Sequence, residues 1–456
     1  MKKTSKLLSL TMGAVCMFSI AGCAQNNSVP SILPDYDQYE DELRIDIAGW
    51  CTPADYSDEQ MQLAVDSGVN ILHANSAGDL TYTLPYNAVR EQDKEFLAQV
   101  EKFGLSVYVN LGRDPSALEN IDLYAEYDCV RGFQYDEPST SGEIDEMAKY
   151  IEVFNRECNG KTFMVNMMPP NTNIAYDTYS DYVEDIAETI TSNLVSEEKW
   201  ISADYYVLNL VDGEYSLAPA FLGNVEYVAK YGEQYGFKKN YFIQTMPYGG
   251  GSHDRVPTYE DIRLQEYALL AFGMDSISLF CYMTPNVNGE FSETQEAMIG
   301  RDGEPTPIYD AVKKANQEIL SFDHVYLQFD WKGVFTCDAG KTETGKSRTR
   351  YNCFSTISDR LSIEDVNSVA SVTCSQNTLF GYFGDENAND GFMVVNYNDP
   401  HNVKESQVTM EFEDRMGYNK AILYQGGEKT IVEIEKNKLN LDLGAGEGVF
   451  VIPYCE

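Results

Sequence analysis

The sequence predicts an α/β protein, a (β/α)8 TIM barrel followed by a small C-terminal antiparallel β-sandwich. Three observations lead to this prediction. Short apolar, β-branched runs occur eight times between residues 43 and 285, separated by helical patterns, as in a barrel of this size. From about residue 325 the helical patterns give way to short alternating strands with turn residues. No G-x-G-x-x-G segment follows the first run, so a doubly wound dinucleotide-binding sheet has no support.

The strands and helices of the predicted barrel follow one another along the chain. Helix starts are indicated at Ser57 and Thr258, because each hydroxyl precedes acidic residues as an N-cap does. Residues 141–157 place their apolar side chains on one face of a helix, and 309–320 close the series. The eight predicted strands are residues 43–50, 68–76, 104–112, 129–137, 161–169, 204–212, 240–248 and 275–283.

The N-terminus predicts export. Three lysines precede an apolar stretch that ends in I-A-G-C at residues 20–23, the arrangement of a secretory signal peptide. Its end resembles the lipobox of bacterial lipoproteins, and this resemblance implies cleavage before Cys23 and a lipid on the Cys23 thiol. The alternative is a plain signal peptide cut after Gly22. We expect a lipoprotein on the extracellular face of the bacterial cell membrane, attached only through this anchor.

Four segments are therefore expected. Residues 1–23 are the signal peptide with its lipobox, 24–40 a polar spacer, 41–324 the catalytic barrel, and 325–456 the β-sandwich. For the sandwich we expect a packing role, with sugar binding as the alternative.

Charge and cysteine usage exclude several function classes. With 33 basic and 72 acidic residues the net charge is −39, which repels phosphate backbones, so we expect no nucleic-acid partner. A neutral substrate suits this field. No CxxC pair and no paired histidine spacing occur, so we predict neither a metal site nor a cofactor. Cys337 and Cys353 flank a polar segment and are candidates for a disulfide, which the sequence leaves open.

The ends of the predicted strands carry amides, carboxylates and aromatic rings. In a barrel these ends meet at one face, where active sites lie. Amides donate to and accept from hydroxyls, and flat rings cover the apolar face of a pyranose, so this set predicts a sugar site. The predicted binding residues are Trp50, His73, Asn75, Asn110, Asn166, Asn209, Glu214, Gln244, Tyr248 and Tyr282.

The segment "GFQYDEP" ends the fourth predicted strand in two adjacent acids, Asp136 and Glu137. Partly apolar surroundings and the neighbouring Asp136 charge are expected to raise the pKa of Glu137. A carboxylic acid still protonated near neutral pH is what a departing glycosidic oxygen needs. The alternative is that the two acids cap the next helix or pair with Arg131 or Arg113.

Two further stretches, residues 259–285 and 300–319, resemble the strand-eight region and closing helix of β-galactosidase-like (β/α)8 glycoside hydrolases of secreted bacterial proteins. The resemblance implies a catalytic Glu at the end of strand four, which falls on Glu137. This chain departs from the large retaining clan in two ways: Asp136 stands where that clan has Asn, and strand seven ends without an acid. We therefore expect a second carboxylate at Asp212 or Glu214, after predicted strand six. Alternatively, Asp136 orients a substrate group, as in substrate-assisted hexosaminidases.

These observations predict a cell-surface glycoside hydrolase that cleaves a neutral oligo- or polysaccharide by carboxylate acid/base catalysis. The alternative is a non-catalytic glycan-binding lipoprotein on a hydrolase-like barrel. A second carboxylate facing Glu137 across a pocket would favour the enzyme. A solute-binding lipoprotein of a transporter would need two lobes and a hinge, which eight even repeats do not suggest.

Overall fold

Eight parallel strands close into a barrel in the computed structural model of the chain. The structure describes residues 33–40, 42–51, 56–74, 91–110, 121–158, 160–170, 172–248, 255–288, 290–345 and 349–456. The strands run around the barrel in the order β1-β2-β3-β4-β5-β6-β9-β10, and β10 closes onto β1. Their bounds are β1 Asp46–Gly49, β2 Ile71–Ala74, β3 Ser106–Asn110, β4 Val130–Asp136, β5 Thr162–Met167, β6 Lys199–Asp204, β9 Lys238–Gln244 and β10 Ser276–Phe280. The predicted fold class is confirmed.

The sixth barrel strand lies earlier in the chain than predicted. We expected it at 204–212, but β6 ends at Asp204, and the next residues form an antiparallel hairpin, β7 Leu208–Val211 and β8 Glu214–Leu217. Asp212 and Gly213 form the hairpin turn with φ of 51° and 83°, the positive angles that two-residue turns favour. The prediction was wrong because an apolar run was taken as buried, whereas Val211 is 48% exposed.

Helices cover the outside of the barrel. The predicted start at Thr258 is a capping box in which Thr258 and Asp261 bond each other's backbone nitrogens, and Ser57 caps the first helix. Among the described residues, no helix is both long and apolar enough to cross a membrane. The helices are α1 Asp58–Asp66, α2 Glu91–Lys102, α3 Ile121–Ala125, α4 Ser141–Glu157, α5 Tyr179–Asn193, α6 Phe221–Tyr235, α7 Tyr259–Ala271, α8 Pro307–Leu320, α9 Asp323–Tyr326 and α10 Asn352–Ser355.

Two antiparallel sheets follow the barrel and pack as a sandwich. The larger sheet has the order β11-β14-β15-β20-β17-β18 and the smaller one β12-β13-β16-β19. The strands are β11 Phe329–Cys337, β12 Lys341–Glu343, β13 Val369–Cys374, β14 Thr378–Asp385, β15 Asp390–Asn396, β16 Glu405–Phe412, β17 Lys420–Gln425, β18 Glu428–Glu433, β19 Lys438–Gly444 and β20 Gly448–Tyr454.

The candidate disulfide between Cys337 and Cys353 is not formed. Both thiols are free. Cys337 lies in the core between the two sheets of the sandwich, whereas Cys353 packs in the cluster that includes the barrel core. The thiols therefore lie in different cores, which the chain segment between them did not reveal.

Helix α7 joins the two domains because the larger sheet covers its outer side. Every residue from Asp261 to Ala271 is buried. The approach is close: a Cβ on Gly381 would lie 2.3 Å from the Ala271 carbonyl oxygen. One continuous apolar cluster runs from the barrel into the sheet, through residues such as Phe383 and Phe450. The sandwich thus completes the core on this side of the barrel.

A buried ion-pair network ties the sandwich to the hairpin that follows β6. Arg255, which is fully buried, pairs with Asp261 and with Asp399, whose Oδ2 lies 2.6 Å from Nη1. The guanidinium lies over the ring of Tyr215, 5.1 Å from its centroid. On the hairpin, Tyr215 stacks on His401 of the sandwich with ring centroids 3.8 Å apart. The hairpin therefore has a fixed support outside the barrel.

Candidate active site

A cavity of about 250 Å³ opens at the mouth of the barrel, where the carboxyl ends of the strands meet. Three of its lining acids come from strand ends: Asp136 and Glu137 from β4 and Asp204 from β6. The remaining lining residues are mostly aromatic. The full set is Trp50, Asp136, Glu137, Asn166, Asp204, Tyr206, Phe242, Tyr248, Phe280, Glu290 and Phe291.

Asp136 and Asp204 share one hydrogen-bond donor. The Asn166 side-chain nitrogen lies 3.3 Å from Asp136 Oδ1 and 3.4 Å from Asp204 Oδ1. Asn166 is at the end of β5, the strand between β4 and β6, so its amide lies between the two acids. Gln134 also donates to Asp136 Oδ1, at 3.2 Å. The two carboxylates therefore face one another across a single amide.

Burial and a neighbouring charge shift the pKa of Asp204. The pKa of Asp204 is raised to about 7: burial is the largest cause and the negative charge of Asp136 adds to it, while hydrogen bonds from Asn166 and Tyr206 oppose the shift. Near neutral pH a substantial fraction of Asp204 is thus protonated. A carboxylic acid beside a second carboxyl group is the arrangement that acid/base chemistry requires.

Glu137 lies beside these two acids in an unusual backbone conformation. Its φ is +45°, a left-handed angle that is uncommon for a residue with a side chain. Its backbone N–H donates to the Asn166 carbonyl oxygen at 2.9 Å, which holds the turn against β5. Such strain is often retained at functional sites.

Within the described residues, two of the alternative roles for the acid pair, capping of α4 and pairing with Arg131, are not found. Thr140 and Glu143 form the capping box of α4, so neither Asp136 nor Glu137 caps that helix. Arg131 lies at the other end of β4, where it pairs with Asp46 at 3.5 Å and Glu198 at 3.7 Å. Arg113 lies outside the described residues.

Aromatic rings form the walls of the cavity. Tyr206 packs on Tyr248 and Phe280, with ring centroids 5.1 and 5.0 Å apart. The Tyr248 hydroxyl donates to Glu290 Oε1 at 2.5 Å, which joins this wall to the loop after β10. Trp50 contacts Phe242, with centroids 5.5 Å apart, and both rings line the same cavity. Flat apolar rings beside carboxyl groups suit a pyranose, whose two faces are apolar and whose edges are polar.

Several predicted site residues lie away from the cavity. Asn209, Asp212 and Glu214 lie on the β7–β8 hairpin, with Asp212 and Glu214 exposed. The prediction that Asp212 or Glu214 ends strand six and faces Glu137 is therefore wrong, because β6 ends at Asp204. Gln244 uses its side chain to bond backbone, accepting from Leu208 N at 3.3 Å.

The other predicted residues divide between the cavity and the barrel interior. Trp50, Asn166 and Tyr248 line the cavity. His73 and Tyr282 are fully buried, and Asn110 is buried at the end of β3. Asn75 and Cys23 lie outside the described residues.

The sequence reasoning missed Asp204, although a signal for it exists. β4 ends in "FQYD" and β6 in "ISAD", so both strands finish an inward-facing alternation with an aspartate. The run was overlooked because "DYYVLNLVD" is richer in β-branched and aromatic residues. The missed lining residues are Asp204, Tyr206, Phe242, Phe280, Glu290 and Phe291.

Comparison with known proteins gives a shared fold. No protein-family model matches the chain, and no curated protein matches it. A catalytic-mutant form of a GH42 β-galactosidase from G. stearothermophilus aligns at 8% identity with a TM-score of 0.52, over 90% of this chain and 98% of that one. An α-amylase from Geobacillus thermoleovorans aligns at 10% identity and a TM-score of 0.49, over 91% and 98%. A β-galactosidase from the psychrophilic Marinomonas ef1 aligns at 10% identity and 0.46, over 63% of this chain and 62% of that one. At such identities the likeness concerns the fold alone.

Proposed function

We propose that the protein is a glycoside hydrolase in which Asp204 is the general acid/base and Asp136 the nucleophile. One observation carries this proposal: two carboxyl groups on strands β4 and β6 share the Asn166 nitrogen within 3.4 Å, in a cavity where the pKa of Asp204 is raised to about 7. A barrel with a second carboxylate beside Glu137 favours the enzyme over a binding protein.

The proposed reaction starts with Asp204 protonated and Asp136 ionised. Asp204 gives its proton to the glycosidic oxygen as the bond from that oxygen to C1 breaks, and an Asp136 oxygen forms a bond to C1. A water molecule then attacks C1 while Asp204 takes a proton from it, and the bond between Asp136 and C1 breaks. Both carboxyl groups return to their starting states.

The spacing of the acids favours retention of configuration at C1. Because one nitrogen bonds both, their nearest oxygens are less than about 7 Å apart, closer to the ~5 Å of retaining enzymes than to the upper part of the ~6.5–9.5 Å inverting range. Proton NMR of the first-formed sugar measures the outcome directly. Release of the opposite anomer would remove Asp136 from the role of nucleophile.

Glu137 is assigned a substrate-orienting role in this scheme. It lines the same cavity and directly follows the proposed nucleophile. The prediction that Glu137 itself donates the proton stays open to the same experiment, because removal of the true donor has a distinctive kinetic signature.

The test is hydrolysis of a panel of aryl glycosides and of plant and host glycans, with wild type, Asp204→Asn, Asp136→Asn and Glu137→Gln. Losing the proton donor is expected to lower the rate roughly 10²–10⁴-fold on poor leaving groups, and much less on dinitrophenyl glycosides, which leave without protonation. We expect this pattern for Asp204→Asn, and a loss on both substrate types for Asp136→Asn. The pattern appearing in Glu137→Gln instead would move the acid role to Glu137.

Asp212→Asn is the matched control, since Asp212 is an exposed aspartate on the hairpin just beyond β6. It should keep wild-type rates. A wild-type protein that binds sugars but cleaves none would favour the non-catalytic glycan-binding alternative.

We also propose that the substrate is a neutral oligo- or polysaccharide and that the protein acts at the cell surface. The net charge of −39 supports a neutral substrate, and the lipobox-like residues 20–23 support an anchor on Cys23. Metabolic labelling with an alkyne fatty acid should mark the wild-type protein and not Cys23→Ser. Equal labelling of both proteins would remove the anchor.

A further inference from the structure

The middle of the barrel is polar where branched apolar side chains usually fill such a barrel. Four neutral side chains extend from Asn166 across the interior, each within hydrogen-bond distance of the next. Ser202 Oγ lies 2.9 Å from Asn166 Oδ1, and Asn240 Nδ2 lies 2.8 Å from Ser202 Oγ. Ser278 Oγ lies 3.0 Å from Asn240 Oδ1, and His73 Nε2 lies 3.3 Å from Ser278 Oγ. We call these four residues the interior chain.

We infer that the interior chain orients the Asn166 amide, so that its nitrogen rather than its oxygen faces Asp136 and Asp204. This inference rests on the proposed function of that acid pair. It adds Ser202, Asn240, Ser278 and His73 as positioning residues, none of which touches the cavity.

The direction of the hydrogen bonds along the interior chain follows from the number of protons that each group can donate. An amide nitrogen only donates, so Ser202 Oγ accepts from Asn240 and has its single proton left for Asn166 Oδ1. Ser278 likewise gives its single proton to Asn240 Oδ1 and accepts from His73. Every member therefore donates toward Asn166, and the Asn166 oxygen is held inside the barrel.

With every hydrogen bond reversed, all the groups would still have partners, but the Asn166 oxygen would face the two acids. If Ser202 donated to Asn240, it would accept from the Asn166 nitrogen, and the Asn166 oxygen would face two carboxyl oxygens. Because an amide oxygen accepts but does not donate, the acids would lose their shared donor. The forward direction requires a proton on His73 Nε2.

His73 is suited to end such a chain. It is fully buried, and this burial lowers its pKa to about 3, so the ring stays neutral and can carry its single proton on Nε2. Its Nδ1 has no hydrogen-bond partner within the described part of the chain. The ring packs against Trp50 and Phe242, with centroids 5.0 and 5.5 Å away. Because the ring stays neutral, its charge does not change over the working pH range, and the tautomer with the proton on Nε2 completes the forward direction.

The first test compares Ser202→Ala, which removes the donor to Asn166, with Ser202→Thr, which keeps a hydroxyl. Ser276→Ala is the matched control, a buried serine on β10 outside the interior chain. We expect Ser202→Ala to lower kcat about 10–100-fold, by analogy with the loss of residues that orient metal ligands, with KM changed less than about threefold. Ser202→Thr should recover most of kcat, and Ser276→Ala should match wild type.

The pH profile of kcat distinguishes a rotated Asn166 amide from a general packing defect. Asn166 lowers the pKa of Asp204 by hydrogen bonding, so an amide that turns away should move the alkaline limb of kcat to higher pH. A simple packing defect lowers kcat at every pH without moving that limb. An unmoved limb with unchanged kcat in Ser202→Ala would overturn the inference.

A second measurement does not depend on catalysis. In ¹⁵N-labelled protein, the Asn166 side-chain NH₂ signal, assigned by its absence in Asn166→Ala, should shift as the two acids titrate. Asn240→Asp introduces a group that accepts from both serines, which draws the Ser202 proton away from Asn166, and it should abolish that shift. If wild type cleaves no glycoside but the shift behaves in this way, the proposed function fails and the orientation stands. A shift that persists unchanged in both Asn240→Asp and Ser202→Ala would overturn the orientation itself.

Discussion

The two ends of the barrel are filled by side chains of opposite character. At the amino ends of the strands, a floor of apolar side chains fills the interior, with Trp200, Tyr108 and Met164 packed as one buried cluster. At the mouth, partly buried acids share a single donor and Glu137 holds a positive φ. The floor gains stability from burial, whereas the mouth retains groups whose charged states burial disfavours. The difference indicates that the stabilising residues and the residues of the candidate site lie in separate layers of the same strands.

The largest effect should come from the mouth. Asp204→Asn is expected to lose roughly 10²–10⁴ of activity yet to unfold at a higher denaturant concentration than wild type near pH 8. Because the folded pKa of Asp204 is raised to about 7, its contribution to stability is complete below about pH 4 and is lost as pH rises toward 7. The variant should therefore match wild type at pH 4 and exceed it at pH 8. A less stable variant at both pH values would mean that Asp204 supports the fold.

A substitution in the apolar floor should lower stability and leave activity unchanged. Trp200→Ala is expected to lower the free energy of unfolding by about 3–5 kcal/mol, through lost burial and the cavity left behind, with the rate per folded molecule preserved. Denaturant unfolding, with active-site titration of the folded fraction, measures both quantities. Trp50→Ala is the matched aromatic control at the mouth, and it should raise KM with a smaller loss of stability. Equal kinetic damage from the two variants would end the division into layers.

A smaller effect should come from an acid outside both layers. Glu266 on α7 is fully buried, and neither of its oxygens has a hydrogen-bond partner among the residues that the structure describes. Burial raises its pKa well above the usual range. The folded state therefore binds a proton more tightly than the unfolded state, so stability falls as pH rises above about 4.3. Glu266→Gln should stabilise by about 1–3 kcal/mol near pH 8, and by little near pH 4. Glu260→Gln, half-buried on the same helix, should show no such pH dependence.

The smallest effect is expected on the hairpin. Asp212→Asn changes an exposed side chain at a turn, so both the activity and the free energy of unfolding should remain close to wild type, within about 0.5 kcal/mol. Kinetics and denaturant unfolding on the same sample measure the two. A tenfold loss of activity would bring the hairpin tip into the site, contrary to the exposure of Asp212.

The sequence predicted the architecture well because eight repeats and a change of period are long-range patterns. The barrel strands at Asp46–Gly49 and Val130–Asp136 fall within their predicted segments, since buried strands have a strong apolar signal. β6 was misplaced because the apolar and aromatic run of residues 205–211 is longer than that of Lys199–Asp204 and was taken as the buried strand. Because of that single shift, the second acid was expected at Asp212 or Glu214 and Asp204 was overlooked.

The residues that line the site could not be predicted from the sequence, because they come together only in the folded barrel. Phe242 and Phe280 look like core residues in the sequence, and the parallel pairing of β9 with β10 brings both to the mouth of the barrel. The interior chain is also invisible in one dimension, because Ser202, Asn240 and Ser278 lie on three different strands. Short polar side chains in a strand carry no signal of partners that lie dozens of residues away.

The ion pairs of Arg255 bear on the order in which the protein is made. Arg255 is fully buried against Asp261, six residues away, and Asp399, 144 residues away. During synthesis the ribosome releases every strand of the barrel before Asp399 exists, and a buried charge with too few partners is costly. A nascent barrel therefore keeps this seam solvated while the sandwich is translated. Slowing translation after the barrel should lengthen the period in which a protease can cut the nascent chain near Arg255.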